Sequence, residues 1–406
     1  MTKQTATGAQ APGAAKWLAL IAAVLAFTYT FLSRYIWSPL MTDVSGEFAI
    51  NATQAGLYMS AFFAGYLVTQ VPGGIMADKF QPKYILIACT ALSGAATALM
   101  SAIPGYEVGL ALRILTGVAS GCVMACCSKV VAVNFAPQER AVGMGILLAS
   151  PPFGITLANM IGNPLNAAMG WRNTFLLVGA FAVVVIAALA LFLKPIPHTE
   201  APAAKGKQMG LLEGLIGYFK NGQQLILAAS GFLFMFVSVG FATWANTYAG
   251  TLGFTPAEGG LVITAYSVAG IVGSCLSGGI AQKLKVSHKT FLIGSLALMA
   301  AFTLVFSFQR SYMALICAGI AYGFVSYLPS THYTTLAIQY AGDRYAATAA
   351  STQNLMFQIA SMVQPAIIGG LIDVTGNHAL IWYAFFGCLA VAVLVTLTAK
   401  KDELVA

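Results

Sequence analysis

The chain has 406 residues, 59% of them hydrophobic and only 8% charged, with a mean hydropathy of +0.81. A water-soluble domain carries about 25% charged residues, so a soluble enzyme or binding module is excluded and an integral membrane protein is implied. The net charge of +8 suits nucleic acid in principle, but the basic residues are spread between apolar stretches and read as a topology signal instead.

About 20 apolar residues span a bilayer. Twelve such stretches occur in order, near 17–40, 54–76, 83–103, 107–128, 141–163, 172–193, 222–248, 259–281, 289–308, 312–336, 345–370 and 378–398. The first is too long for a cleaved signal peptide, and eleven more follow it. If both termini are inside, 15 of the 20 Lys and Arg residues fall on inside segments, and only Arg172 and Arg310 fall outside. That bias is the positive-inside rule. It predicts a multi-pass protein of the plasma (inner) membrane, with cytoplasmic tails at 1–16 and 399–406. Lys-Asp-Glu-Leu at 401–404 is not C-terminal and so is no retention signal.

The first stretch contains Phe31-Leu32-Ser33-Arg34-Tyr35. A charge inside a span costs about 2.5–3.5 kcal/mol on insertion scales and marks a functional hypothesis. Arg34 either snorkels to the outer interface or faces a cavity and pairs with a carboxylate or phosphate. The second stretch runs into a short charged link, Gly73-Gly74-Ile-Met-Ala77-Asp78-Lys79-Phe-Gln81-Pro82-Lys83. Gly74 suits close helix packing, Asp78 can accept from an open helix N-terminus, and Lys79 and Lys83 hold the loop inside.

The fourth stretch carries Arg113, with Gly117 and Gly121 on the same face, which permits close approach of a neighbour. Arg113 has two open readings, a bond to backbone carbonyls of helix 1 or a substrate contact. Lys129 is an anchor at the inner interface or a coupling group. The cysteines have no zinc-ligand spacing, and no metal or cofactor is expected.

Residues 194–221 hold Pro195, Pro197, Pro202 and four lysines and read as a cytoplasmic linker. The halves on either side are related. Gly56 recurs as Gly260 and Arg140 as Arg344, each 204 residues on, and Gly170 recurs as Gly376, 206 on. The offset implies an internal duplication. The second copy has Gln282 near the place of Asp78. His332, in the tenth stretch, is a structural histidine or the carrier of a coupling proton.

The link at 73–83 resembles the loop signature of the major facilitator superfamily, with Pro82 where a base is usual. The resemblance covers about residues 17–398. It implies an all-α membrane protein of twelve transmembrane helices in two six-helix bundles, 17–193 and 222–398, with substrate near the midplane. It also implies a cavity lined by helices 1, 4, 7 and 10, which here supply Tyr29, Tyr35, Trp244, Asn246, Tyr248, Tyr322, Tyr327 and Tyr333. Tyr66 and Gln70-Val71-Pro72-Gly73-Gly74, with Arg34, are similar to the organic anion:cation symporter branch. Arg34 and Arg113 match the arginines of that branch. Ser33 and Ser120 stand where proton-driven members place carboxylates.

The expectation is therefore a carrier that takes up a small carboxylate-class anion by alternating access, coupled to a proton or other cation. Asp78, Lys79, Lys83 and Arg140 would form an inner latch. An anion exchanger or potential-driven uniporter is the alternative that Ser33 and Ser120 favour, with a counter-anion as partner. Proton-antiport drug efflux is weaker, since no membrane-embedded acid is evident and helix 5 reads Ser150-Pro151-Pro152-Phe153-Gly154. A membrane enzyme lacks a nucleophile–base pair here. A monomer is expected.

Overall fold

The computed structural model describes residues 13–136, 138–195, 217–341, 346–400 and 402. Arg344 and most of the 194–221 linker lie outside the described residues, as does the side chain of Asp78. Every bounded element is helical: α1 (Gly13–Tyr35), α2 (Trp37–Phe48), α3 (Ala52–Lys79), α4 (Pro82–Leu99), α5 (Tyr106–Ser120), α6 (Val123–Asn134), α7 (Arg140–Leu148) and α8 (Ser150–Phe192). After the linker come α9 (Gly222–Thr251), α10 (Pro256–Leu284), α11 (His288–Phe308), α12 (Tyr312–Ser326), α13 (Pro329–Ala341), α14 (Ala346–Thr375) and α15 (Leu380–Leu397).

Ten segments among the described residues are long and apolar enough to cross a membrane, so the twelve stretches are not reproduced one for one. Two places account for the difference. Val142–Phe192 forms one apolar segment of 51 residues, and α3, with Thr53, Gln54, Ser60, Thr69 and Gln70, is not among the ten. The contacts of α8 show that the chain reverses within it. Asn166 donates to Asp43, and Trp171 and Arg172 donate to Glu47 at 2.7 and 2.5 Å, all beside the α2–α3 turn. Ala190 accepts from Lys83 at 2.7 Å, at the opposite, α3–α4 end. The reversal occurs at Gly170, with φ 78 and ψ 163, a left-handed backbone that glycine adopts without strain. Gly376 has φ 62 at the matching position of the second half.

The repeat extends to capping and packing. α3 opens with a capping box from Asn51 and Gln54, and α10 opens with one from Thr255 and Glu258, 204 residues later. Gly56 leaves no room for a Cβ against the Pro365 carbonyl of α14. Gly260 does the same against Asn163, with the Asn159 carbonyl at 2.9 Å. These are two copies of one contact, and they form the seams between α1–α8 and α9–α15. Ser38 lies between them and donates to the carbonyls of Ala242 and Thr243 at 3.3 and 3.2 Å. Those residues are its own repeat mates, so this contact lies near the axis relating the halves. Asp373, at the end of α14, accepts from the backbone N–H groups of Ala52 and Thr53 at 2.9 and 2.8 Å and from the Thr53 hydroxyl. The α2–α3 end is thus sealed across both seams and at the axis.

Glycines set the approach of α5 to α3. Gly117 and Gly121 have no space for a side chain against the Phe62 and Tyr66 carbonyls. Gly74 departs from expectation, since nothing stands within 4 Å of where its Cβ would be. The close contact falls one residue earlier, at Gly73, 2.7 Å from the Cys122 Cα. Gly117→Ala is expected to cost about 1–3 kcal/mol by overpacking against backbone, and Gly74→Ala to cost almost nothing. Melting temperatures of the two purified variants check the contrast.

Candidate functional site

The site begins with a break in the first long apolar segment. Pro39 has no N–H to offer the Tyr35 carbonyl, so α1 stops at Tyr35 and α2 resumes at Trp37. The last carbonyls of a helix need partners, and inside a membrane water does not supply them. Arg113, on α5 and 1% exposed, supplies them here. Its Nη1 donates to Ser33 O at 2.9 Å, its Nη2 to Arg34 O at 2.8 Å and its Nε to Tyr58 O at 3.3 Å. The cation also sits at the negative end of the α1 dipole. Arg113 joins α1, α3 and α5 through backbone oxygens.

Arg34 is therefore held by its backbone, and its side chain is differently placed. It is 4% exposed. Four rings surround the guanidinium carbon, Phe31 and Phe62 at 4.6 Å, Phe63 at 4.8 Å and Tyr66 at 5.0 Å. Nε has no hydrogen-bond partner among the described residues. The ion pairs formed among those residues, Lys16–Glu139 and Arg172–Glu47, do not involve it. Aromatic faces offset part of the desolvation of a cation, but a buried charge still needs an opposite one. The cage thus presents a guanidinium with tyrosine hydroxyls beside it and no acid among the described residues, a group chemically able to pair with a carboxylate or similar anion.

The hydroxyl-bearing rings of Tyr35 and Tyr66 lie within electrostatic reach of that guanidinium. Across the seam, Tyr35 is within reach of Tyr266 and Tyr327. Tyr266 stacks on Phe241 at 4.5 Å and lies 5.8 and 6.0 Å from Tyr322 and Tyr327. The structure thus brings together Arg34, Tyr35 and Tyr327 from the sequence reading. It adds Phe62, Phe63 and Tyr266, which the sequence reading did not single out. A signal existed, since Phe62, Phe63 and Tyr66 cluster on the stretch facing helices 1 and 4.

Other candidates lie elsewhere. Tyr29 is buried against α4 and α8, with its hydroxyl 3.5 Å from where a Gly94 Cβ would be. Trp244 lines a cavity of about 170 Å³ at the α2–α3 end, with Met41, Asn51 and His378. Asn246 packs on Gly259. His332 is buried within the second half, bonded to His288 and Ser277. Lys129 donates to Ala77 O at 2.5 Å and Arg140 to Phe135 O at 3.2 Å, while Lys79 lies beside an apolar groove with Phe80 and Tyr84. No group of three or more potential metal ligands occurs among the described residues.

The family model of the Major Facilitator Superfamily matches residues 23–365. The chain belongs to that superfamily. It is a multi-pass membrane transporter and not an enzyme. It is 26% identical over 399 residues to a probable sulfoacetate transporter of Cupriavidus necator, covering 92% of this chain and 91% of that one. It is 24% identical over 373 residues to a hexuronate transporter of Bacillus subtilis, covering 87% of each. Among solved structures, a bacterial homologue of the human lysosomal transporter Spinster superposes with a TM-score of 0.75 at 17% identity, over 96% of both chains. That likeness shows the superfamily fold.

Within this transporter Arg113 holds the backbone carbonyl of Arg34. Arg113→Lys retains the charge but loses the fork. It is expected to lower stability by about 1.5–3 kcal/mol, the worth of a charged hydrogen bond left unmade, as read by the melting temperature of the purified variant.

Proposed function

We propose that this transporter carries a small organic anion of the carboxylate class, with Arg34 as its principal ligand. The observation that supports this most is the buried guanidinium of Arg34, ringed by aromatic groups and lacking a carboxylate partner among the described residues. Tyr35, Tyr66, Tyr266 and Tyr327 would close the site from both halves. The relatives named for sulfoacetate and hexuronate transport carry anionic cargo, in keeping with this reading.

We place residues 17–193 and 222–398 in two six-helix bundles that rock about the central site. The twelve spans include α3 and count the two arms of α8 separately. At 28 residues and about 1.5 Å per residue, α3 is long enough to cross. Both termini lie inside, with the α2–α3 end outside, in a bacterial-type inner membrane. Uptake coupled to a proton or other cation is the first reading of energetics. An exchanger is the second, and one feature favours it. Ser33 and Ser120 donate to Thr30 O at 3.1 Å and Thr116 O at 2.7 Å, and Ser33 also accepts from Ser93 at 3.4 Å; as hydroxyls they offer no carboxylate where proton-driven members place one.

Thermal unfolding against sulfoacetate, glucuronate, benzoate and a lipophilic cation tests the anion site. A ligand at a hundred times its Kd adds about 2.7 kcal/mol of apparent stability. At least one anion is expected to raise the melting temperature. Arg34→Met should abolish that rise while leaving the unliganded protein as stable or more so, because it removes an unpaired buried charge. A rise retained in Arg34→Met, or one seen only with the cation, overturns the assignment. Asp373→Ala should loosen the α2–α3 end, observed as faster thiol labelling of a Ser38→Cys reporter from the outer side.

A further inference from the structure

A titratable pair unused by the anion site lies where α10, α11 and α13 meet, near the α3–α4 end. His332 Nδ1 is 2.8 Å from His288 Nδ1, and His332 Nε2 is 3.1 Å from Ser277 Oγ. The proton positions follow from the neighbours. Ser277 Oγ donates to Leu328 O at 2.8 Å, with the Thr331 hydroxyl more distant at 3.4 Å. A hydroxyl has one proton, so toward His332 the Ser277 oxygen is the acceptor. His332 then carries Nε2–H, and its neutral ring leaves Nδ1 bare. His288 must therefore donate from Nδ1. His288 Nε2 is left as the basic nitrogen of the pair.

A carboxylate lies close by. Asp402 Oδ2 accepts the Lys289 N–H at 3.1 Å. Its Oδ1 is buried with no hydrogen-bond partner among the described residues. The side chain is within electrostatic reach of His332. The other charged groups here face away. Lys289 Nζ donates to the Leu397 and Ala399 carbonyls, and Lys283 and Lys285 are exposed at the end of α10. On α13, Tyr333 turns to Ser230, and Tyr340 donates to Lys400 O. Asp343 and Arg344 lie outside the described residues.

We propose that His288 and His332 form a site for one exchangeable proton, loaded at His288 Nε2, and that this proton is the cation coupled to anion transport. The coupling role rests on the anion reading above; the proton site does not. A proton from water adds to the Nε2 lone pair and leaves one positive charge on the pair, with Asp402 within electrostatic reach of its His332 member. A second proton would put N–H groups on both facing Nδ1 atoms and break the pair, so the capacity is one. A connection to the anion site is present. Tyr327, facing Tyr35, is followed by Leu328, whose carbonyl holds Ser277, which in turn holds His332. Movement of the α12–α13 junction on anion binding therefore reaches the imidazole pair through two hydrogen bonds.

The chain has four histidines, few enough for nitrogen-15 imidazole spectroscopy of the purified protein from about pH 4 to about pH 8. The expected result is an Nε2–H tautomer at His332, an Nδ1–H tautomer at His288 and one shared titration. Independent titration, or the opposite tautomers, overturns the site. The coupling arm uses proteoliposomes loaded with a pH dye and exposed to sulfoacetate, glucuronate or benzoate. His288→Asn keeps a donor where Nδ1 sits but cannot take a proton. It should retain the anion-induced melting shift and anion counterflow while losing anion-driven proton movement about tenfold or more. Proton movement equal to the unsubstituted protein's overturns the coupling role. If none of the three anions shifts the melting temperature of the unsubstituted protein, the anion reading fails, and the spectroscopy still decides the proton site. Should His288→Asn not fold, His288→Gln, which likewise cannot take a proton, takes its place with the same expected loss.

Discussion

Everything near the centre of this protein depends on the fork that Arg113 makes onto the end of α1. A helix cannot simply stop in hydrocarbon, because its last carbonyls would be left without donors. Pro39 forces the stop, and Arg113 makes it tolerable by donating to Ser33, Arg34 and Tyr58 backbone oxygens. One buried arginine is consumed by the fold, and the other keeps its guanidinium free of any acid among the described residues. The two look alike in the sequence and differ completely in their partners.

That division bears on how the transporter can hold a guanidinium inside a membrane with no acid beside it among the described residues. The aromatic cage lowers the cost of the charge without neutralising it. Under the proposed anion site, an acid next to Arg34 would satisfy the same charge and compete with the cargo. The proposed proton site, in the second half beyond the Tyr327–Leu328 junction, would avoid that competition.

Much of this was legible from residue order alone. The duplication was visible in Gly56 and Gly260 and in Gly170 and Gly376, and the structure shows why those positions need glycine. The two members of one pair sit in copies of one tight seam, and the two members of the other have left-handed backbones. Arg34 and Arg113 stood out because charge is costly inside a span. The residues that escaped notice are those whose roles depend on distant partners. Asp373 reads as an ordinary loop acid until α14 is seen to end beside the first residues of α3. His288 reads as a loop histidine until α11 is seen to begin beside His332. Gly74 looked like the packing glycine because it fits a pattern, whereas the contact belongs to Gly73.

The two seams that share the glycine contact are not equal in chemistry. Gly56 meets the backbone carbonyl of Pro365, with no side-chain amide at the contact. Gly260 meets Asn159 and Asn163, whose amide groups donate back along α8 and leave both Oδ1 atoms without partners among the described residues. An unpaired buried oxygen is costly when dry and relieved when wet. Parting the α8–α10 seam would therefore be offset in part by hydration of these oxygens, whereas parting the α3–α14 seam breaks the Asp373 cap. Of the two, the α8–α10 seam is the one whose buried oxygens hydration would relieve.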